Sequence, residues 1–167
     1  MKIWYCFAVL FAGVSTALLE QSLLAFDPTP GAIELTGAAI LRDISDPVGV
    51  EIATNDLASD LEEVTGIKRP IFKWDVADGV HGDDLPTGSD SSFVIIVATA
   101  DSPLIRRLQD DGKINVEDIR GKWETFRTAL VPNPVPGFEH GLVIVGSDKR
   151  GTIFGAYTLS EQGGKSP

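Results

Sequence analysis

The sequence predicts an α/β fold, a mixed β-sheet with flanking helices, and three observations predict it. Two runs, Phe93–Thr99 (FVIIVAT) and Gly141–Gly146 (GLVIVG), are apolar without alternation, as expected of strands covered on both faces. Between Asp46 and Gly66 apolar side chains recur at helical spacing. Residues 123–146 read as a strand, a proline-rich turn and a second strand, which makes an antiparallel pair inside a sheet whose other strands are separated by helices. The chain has 167 residues, 43% of them hydrophobic and 23% charged, an ordinary composition for one globular domain. It is too short for a complete (β/α)₈ barrel, which needs about 250 residues.

The N-terminus reads as a secretory signal over residues 1–17. Lys2 supplies a positive start, Ile3–Leu19 runs without a charge, and Ser15 and Ala17 are small residues at −3 and −1 of a cleavage point. The competing reading is a membrane anchor. The run of 17 residues lies at the lower edge of what spans a bilayer, and no basic stop-transfer follows it. Secretion into the extracellular space is therefore expected. Cys6, the one cysteine, lies inside this segment, so the mature chain is expected to carry no disulfide, thiol nucleophile or sulfur-based zinc site. Cleavage leaves 150 residues with 13 basic and 24 acidic side chains, a net charge of −11. Asn55, Asn115 and Asn133 all fail the glycosylation sequon at the third position.

Residues 18–31 form a linker arm with Pro28 and Pro30, and residues 32–167 form the α/β domain. Short strands are expected at Ala32–Leu35 and Ala39–Leu41. Asp46 is expected to cap a helix with Pro47 in its first turn. Val50, Ala53, Leu57, Leu61 and Val64 form its apolar stripe and Gly66 ends it. Glu51, Asp56, Asp60, Glu62 and Glu63 make its solvated face. A strand at Arg69–Trp74 precedes a loop rich in Asp and Gly from Asp75 to Ser92. Ser102-Pro103 opens a second helix with Leu104, Ile105 and Leu108 inward, and Asn115–Gly121 is a helical turn at most. From Trp123 to Val131 residues alternate, with Glu124, Phe126, Thr128 and Leu130 as the more apolar set. Pro132–Gly137 reverses the chain, and Ser147–Gln162 reads as the last helix.

The charge balance is 14 basic against 24 acidic residues, or −10. A basic footprint for phosphate backbones is absent, which argues against nucleic acid, and the same acidity disfavours a membrane surface. No metal or cofactor is expected. Asp75, Asp78, His81, Asp83, Asp84 and Asp90 lack the alternating ligand spacing of a calcium loop and read as a solvated loop. His81 and His140 sit in turn-like contexts and read as surface residues. Trp74 and Trp123 could stack on sugar rings, but packing is the favoured reading for both. No catalytic pair can be assigned among the acids by spacing alone.

The best local motif is Val145–Thr152, VGSDKRGT, between a buried strand and a helix. One reading makes Ser147, Asp148, Lys149 and Arg150 a binding site for an acidic sugar or phosphate, with backbone N–H groups of the helix start and two cations turned to the anion. The other makes Ser147 an N-cap, with Gly146 and Gly151 permitting close packing.

The stretch GSDKRGTIFGAYTLSEQ resembles the signature that closes the N-terminal domain of glycoside hydrolase family 115, the xylan α-1,2-glucuronidases. VGVEIATNDLASDLEEVTGIKRP and GKWETFRTALVPNPVPGFEHGLVIVGSDKRG support the resemblance, which covers about residues 30–167. It implies a secreted multidomain enzyme whose N-terminal α/β domain precedes a (β/α)₈ catalytic barrel. The reaction implied is removal of (4-O-methyl-)glucuronic acid from glucuronoxylan with inversion. The family's catalytic carboxylates belong to the barrel, so none maps onto this chain. The partners implied are the barrel and, through the full-length enzyme, glucuronoxylan or its oligosaccharides. The alternatives are a small secreted carbohydrate- or uronate-binding module and a structural subunit that docks on a separate barrel.

Overall fold

A computed structural model describes residues 4–6, 24–25, 32–81 and 93–164. Most of the signal segment 1–17, the linker arm 18–31 and the acidic loop, including Asp83, Asp84 and Asp90, lie outside the described residues. The small stretches that are described, β1 (Trp4–Cys6) and β2 (Leu24–Ala25), pair with β3 (Ala32–Glu34) in an antiparallel three-stranded sheet. It shares no strand with the main sheet.

The main sheet has six strands: β4 (Ala39–Asp43), β5 (Ile71–Asp75), β6 (Gly79–His81), β7 (Phe93–Thr99), β8 (Phe126–Pro132) and β9 (His140–Gly146). Their order is β6-β5-β4-β7-β9-β8. The inner four, β5, β4, β7 and β9, run parallel, and β6 and β8 close the two edges antiparallel. The continuous apolar runs lie at the centre: β7 is buried at all seven positions, and β9 from Gly141 to Gly146. The alternating strand β8 lies at an edge, where Pro132 needs no partner for a missing N–H. This is the predicted mixed sheet, with the strand–turn–strand unit pairing from Phe126↔Gly146 to Pro132↔His140.

Among the described residues three helices cover it. The α1 helix (Val48–Thr65) and the α3 helix (Lys149–Gly164) pack side by side on one face. There Val50, Leu57, Leu61, Ala156 and Leu159 meet Ile40, Ile95, Val97, Leu142 and Ile144. The α2 helix (Pro103–Asp110) covers the other face, where Leu104, Ile105 and Leu108 meet Leu41, Ile96, Ala98 and Val145. The inward stripes of both predicted helices are buried as expected, save Val64, which is half-buried against the core. Gly66 ends α1 in the left-handed region at φ 71°, its N–H donating to Glu62 O at 2.7 Å.

The proline-rich turn does more than reverse the chain. Val135 and Phe138 fold into the α2-side core, and the Phe138 ring tilts against Phe72 with centroids 6.1 Å apart. Asn133 takes φ 47°, and its N–H donates to Glu139 O at 2.7 Å.

Asp46 does not cap α1. The N-cap position is Pro47, with no side-chain cap bond, and the Asp46 carboxylate turns back to β7. Trp123 does not pack in a core or strand: β8 starts three residues later, and the indole is 79% exposed. The reversal at Glu124, with φ 51°, breaks the alternating frame before it reaches Trp123.

Candidate functional site

Three places bring polar chemistry together. The first is the start of α3, the VGSDKRGT motif. Asp148, not Ser147, occupies the cap: its Oδ1 accepts from Gly151 N at 2.8 Å. Its Oδ2 accepts from Glu124 N at 3.0 Å, and Ser147 Oγ accepts from Thr125 N at 3.1 Å. Ser147 N donates to Thr125 O at 2.7 Å. The motif therefore clips the segment before β8 onto the helix. Bonds from Gly151 and Glu124 hold the Asp148 carboxyl below the usual carboxylate range.

The glycines of the motif are required by contact. A Cβ on Gly146 would lie 2.0 Å from Thr152 N, and one on Gly151 would lie 2.3 Å from Thr125 O. Arg150 pairs with Glu124 at 2.8 Å and lies over the Phe154 ring, 5.9 Å from its centroid. Lys149 is exposed. An anion entering here would have to displace Asp148 from Gly151 N and Glu124 from Arg150.

The second place is the crevice between the C-terminal ends of β4 and β7. The chain leaves β4 toward β5 on one side and β7 toward β9 on the other, the point where open α/β sheets receive ligands. Here the chain fills it with its own carboxylates. Asp43 Oδ2 accepts from Leu104 N at 2.8 Å and Oδ1 accepts from Ser45 N and Ser45 Oγ. Asp46 accepts from Thr99 N through both oxygens at 3.2 Å and from Thr99 Oγ. Burial pushes the Asp46 carboxyl up to about 6, the Thr99 bonds opposing it. Beside it Arg42, buried, donates to Glu51 Oε1 at 2.7 Å. Ser102 caps α2 as predicted, its Oγ accepting from Ile105 N at 3.3 Å. Asp43 was invisible to sequence reasoning, because its partner Leu104 N lies 61 positions away.

The third place is a cleft on the α2 side, between the β5–β6 turn and α2. It consists of two adjoining cavities of about 450 and 540 Å³ that share Trp74, Val76 and Arg107. Trp74 is buried as expected. Its Nε1 is buried with no hydrogen-bond partner. No local signal marks this cleft, since its walls come from three separate stretches of the chain. His140 is exposed at the start of β9, with its ring tilted 35° to Phe93. No group of three metal-ligating side chains is found among the described residues, and no described helix is long and apolar enough to cross a membrane.

The layered arrangement defines an α/β domain with a three-layer helix–sheet–helix core. Among solved structures it is similar to BtGH115A, a family GH115 4-O-methyl-α-glucuronidase with specificity for decorated arabinogalactans, at a TM-score of 0.51 and 21% identity. The match covers 77% of this chain and 14% of that one, so this fold corresponds to a small part of a much longer enzyme. At that identity the likeness is one of fold. No protein-family model matches the chain, and no curated protein sequence matches it.

Proposed function

We propose that this chain is the N-terminal accessory domain of a secreted xylan α-1,2-glucuronidase-like glycoside hydrolase, exported by residues 1–17 and inactive alone. One observation carries the reading: a fold covering 77% of this chain recurs as 14% of a GH115 glucuronidase. The domain supports catalysis by docking on a barrel that holds the acid and base, and reaches glucuronoxylan only through that barrel.

The outward face of the helix pair supports docking. Val48 and Ile52 on α1 are 70% and 54% exposed, and Phe154 and Tyr157 on α3 are also exposed. Exposed apolar side chains gathered on one layer mark interaction surfaces. The buried carboxylates of the fold, Asp43 and Asp46, are held by backbone N–H groups of their own chain.

The test uses residues 18–167 with glucuronoxylan, alone and mixed with a family-115 enzyme stripped of its N-terminal domain. The expected result is no glucuronic acid released by the chain alone and rescued activity in the mixture. Release by the chain alone above a heat-killed control overturns the reading. A separately encoded barrel would use the same face, and the coding sequence after the Pro167 codon distinguishes that arrangement.

A further inference from the structure

We infer that Trp123 is a stacking platform for a pyranose ring, a saccharide-binding site on the surface of this domain. The sequence allows its indole two readings, stacking and packing, and the fold removes the second. At 79% exposure it is the most exposed large apolar side chain among the described residues. An indole carries about 150–250 Å² of surface, most of it apolar, and covering such surface with a ligand is favourable.

The ring is held out by a fixed backbone. Lys122 N donates to Ile119 O at 3.0 Å, and Thr125 Oγ1 donates to Trp123 O at 3.1 Å. Glu124 N and Thr125 N donate to the Asp148 and Ser147 side chains at the start of α3. Glu124 takes φ 51°, a left-handed conformation that strains a residue other than glycine. The fold thus carries strain at the residue that turns Trp123 out of the β8 frame. A platform fixed in advance loses little freedom when a ligand covers it. Its place in the fold also suits a ligand. Phe126, three residues on, pairs with Gly146 at the end of β9, and Gly146 pairs with Thr99 at the end of β7. Trp123 therefore stands at the edge formed by the C-terminal ends of the parallel strands, where open α/β sheets receive ligands.

The neighbours select the class of ligand. Trp123 lies between two charged residues in the chain: Lys122, exposed, and Glu124, paired with Arg150 at 2.8 Å. A pyranose matches an apolar ring face with donors and acceptors at its rim, because its C–H face is apolar and each hydroxyl both donates and accepts. A tryptophan that anchors a protein interface stands instead in a well-packed apolar centre. Nucleobases stack on indoles too, but they bring phosphates to a chain of net charge −10. The inference adds a sugar contact that the docking reading does not contain, and its readout is binding by the chain without a barrel.

The experiment follows the Trp123 indole N–H by ¹⁵N NMR in the labelled chain, assigned by its loss in Trp123→Tyr. Xylohexaose, cellohexaose and galactotetraose are the probes. The expected result is a saturable shift with at least one of them. Trp123→Ala should weaken that binding about tenfold at an unchanged unfolding midpoint, and Trp123→Tyr, which keeps an aromatic face, should weaken it less. The proposal is overturned if no probe gives a saturable shift or if Trp123→Ala binds as the parent does. A lowered midpoint in Trp123→Ala also overturns it, since the indole would then be a packing residue. So does loss of barrel rescue in Trp123→Ala without saccharide binding by the parent, which would mark a protein contact.

Discussion

Asp46 shows how far one side chain can depart from its local role. In sequence it precedes a proline at a helix start, the place of a capping residue. In the fold its carboxylate lies against Thr99, 53 positions away, and burial pushes it up to about 6 from 3.8. Between those two values the folded chain holds a proton the unfolded chain has released. Acidification from pH 7 toward 4 therefore favours the fold at this residue, by on the order of 2–3 kcal/mol in total. Asp46→Asn should remove that slope; urea unfolding at pH 7, 6 and 5 reads it, and parallel profiles for parent and variant would refute it. Asp148 acts with the opposite sign. Its lowered carboxyl contributes stability above the unfolded value that is lost as pH falls through its folded value. Arg69 is a second residue set by distance: buried, it donates through Nη1 to Leu35 O at 2.9 Å and Ala38 O at 3.0 Å, fastening the turn before β4. Arg69→Met should cost about 1–3 kcal/mol in denaturant unfolding, since Ala38 O loses its donor while Leu35 O keeps Ala38 N.

At the scale of the element, the start of α3 is the most constrained segment. Its cap, its glycines and its clip to Thr125 all act on one turn of helix. Asp148→Ala removes a cap and the bond to Glu124 N, and should lower stability by about 1–2 kcal/mol. Gly151→Ala should cost more, about 2 kcal/mol or above, because the added methyl meets Thr125 O and the clip must open. Arg150→Ala should stay within about 0.5 kcal/mol, since its pair with Glu124 is solvent-exposed on the arginine side. Thermal unfolding of the three variants ranks them, and a ranking with Arg150→Ala worst would contradict the packing reading. The segment is thus a joint between β8, β9 and α3, which accounts for its dense pattern of Gly, Ser and Asp without requiring a ligand.

Across the whole molecule, the two helices on one face leave apolar side chains outward while the other face carries the Trp74 cleft. Ile52→Ser with Phe154→Ser should leave the Trp74 cleft and the unfolding midpoint nearly unchanged, as exposed positions do. The same pair should abolish rescue of a barrel, measured by glucuronic acid release. Among the described residues β1 pairs with β2 and β3 and with no strand of the main sheet. A chain lacking residues 1–17 should keep the far-ultraviolet circular dichroism of the α/β core.

What the sequence by itself determined was local and periodic. The runs at 93–99 and 141–146 read as strands covered twice, the stripe from Val50 to Val64 as a helix face, and Ser102-Pro103 as a helix start, and the fold has each of them, because each rests on neighbours within a few residues. The chemistry of VGSDKRGT was legible as two alternatives; Asp148 caps the helix through Gly151 N, and the Ser147 hydroxyl is instead taken up by Thr125 N, 22 positions away. What only the tertiary structure decided was every feature built from distant stretches: the Asp43 and Asp46 bonds across the sheet, Phe138 against Phe72, and the cleft around Trp74. Strand order brings those groups together, and strand order is set by the packing of whole helices on whole sheet faces, which no short window of residues contains.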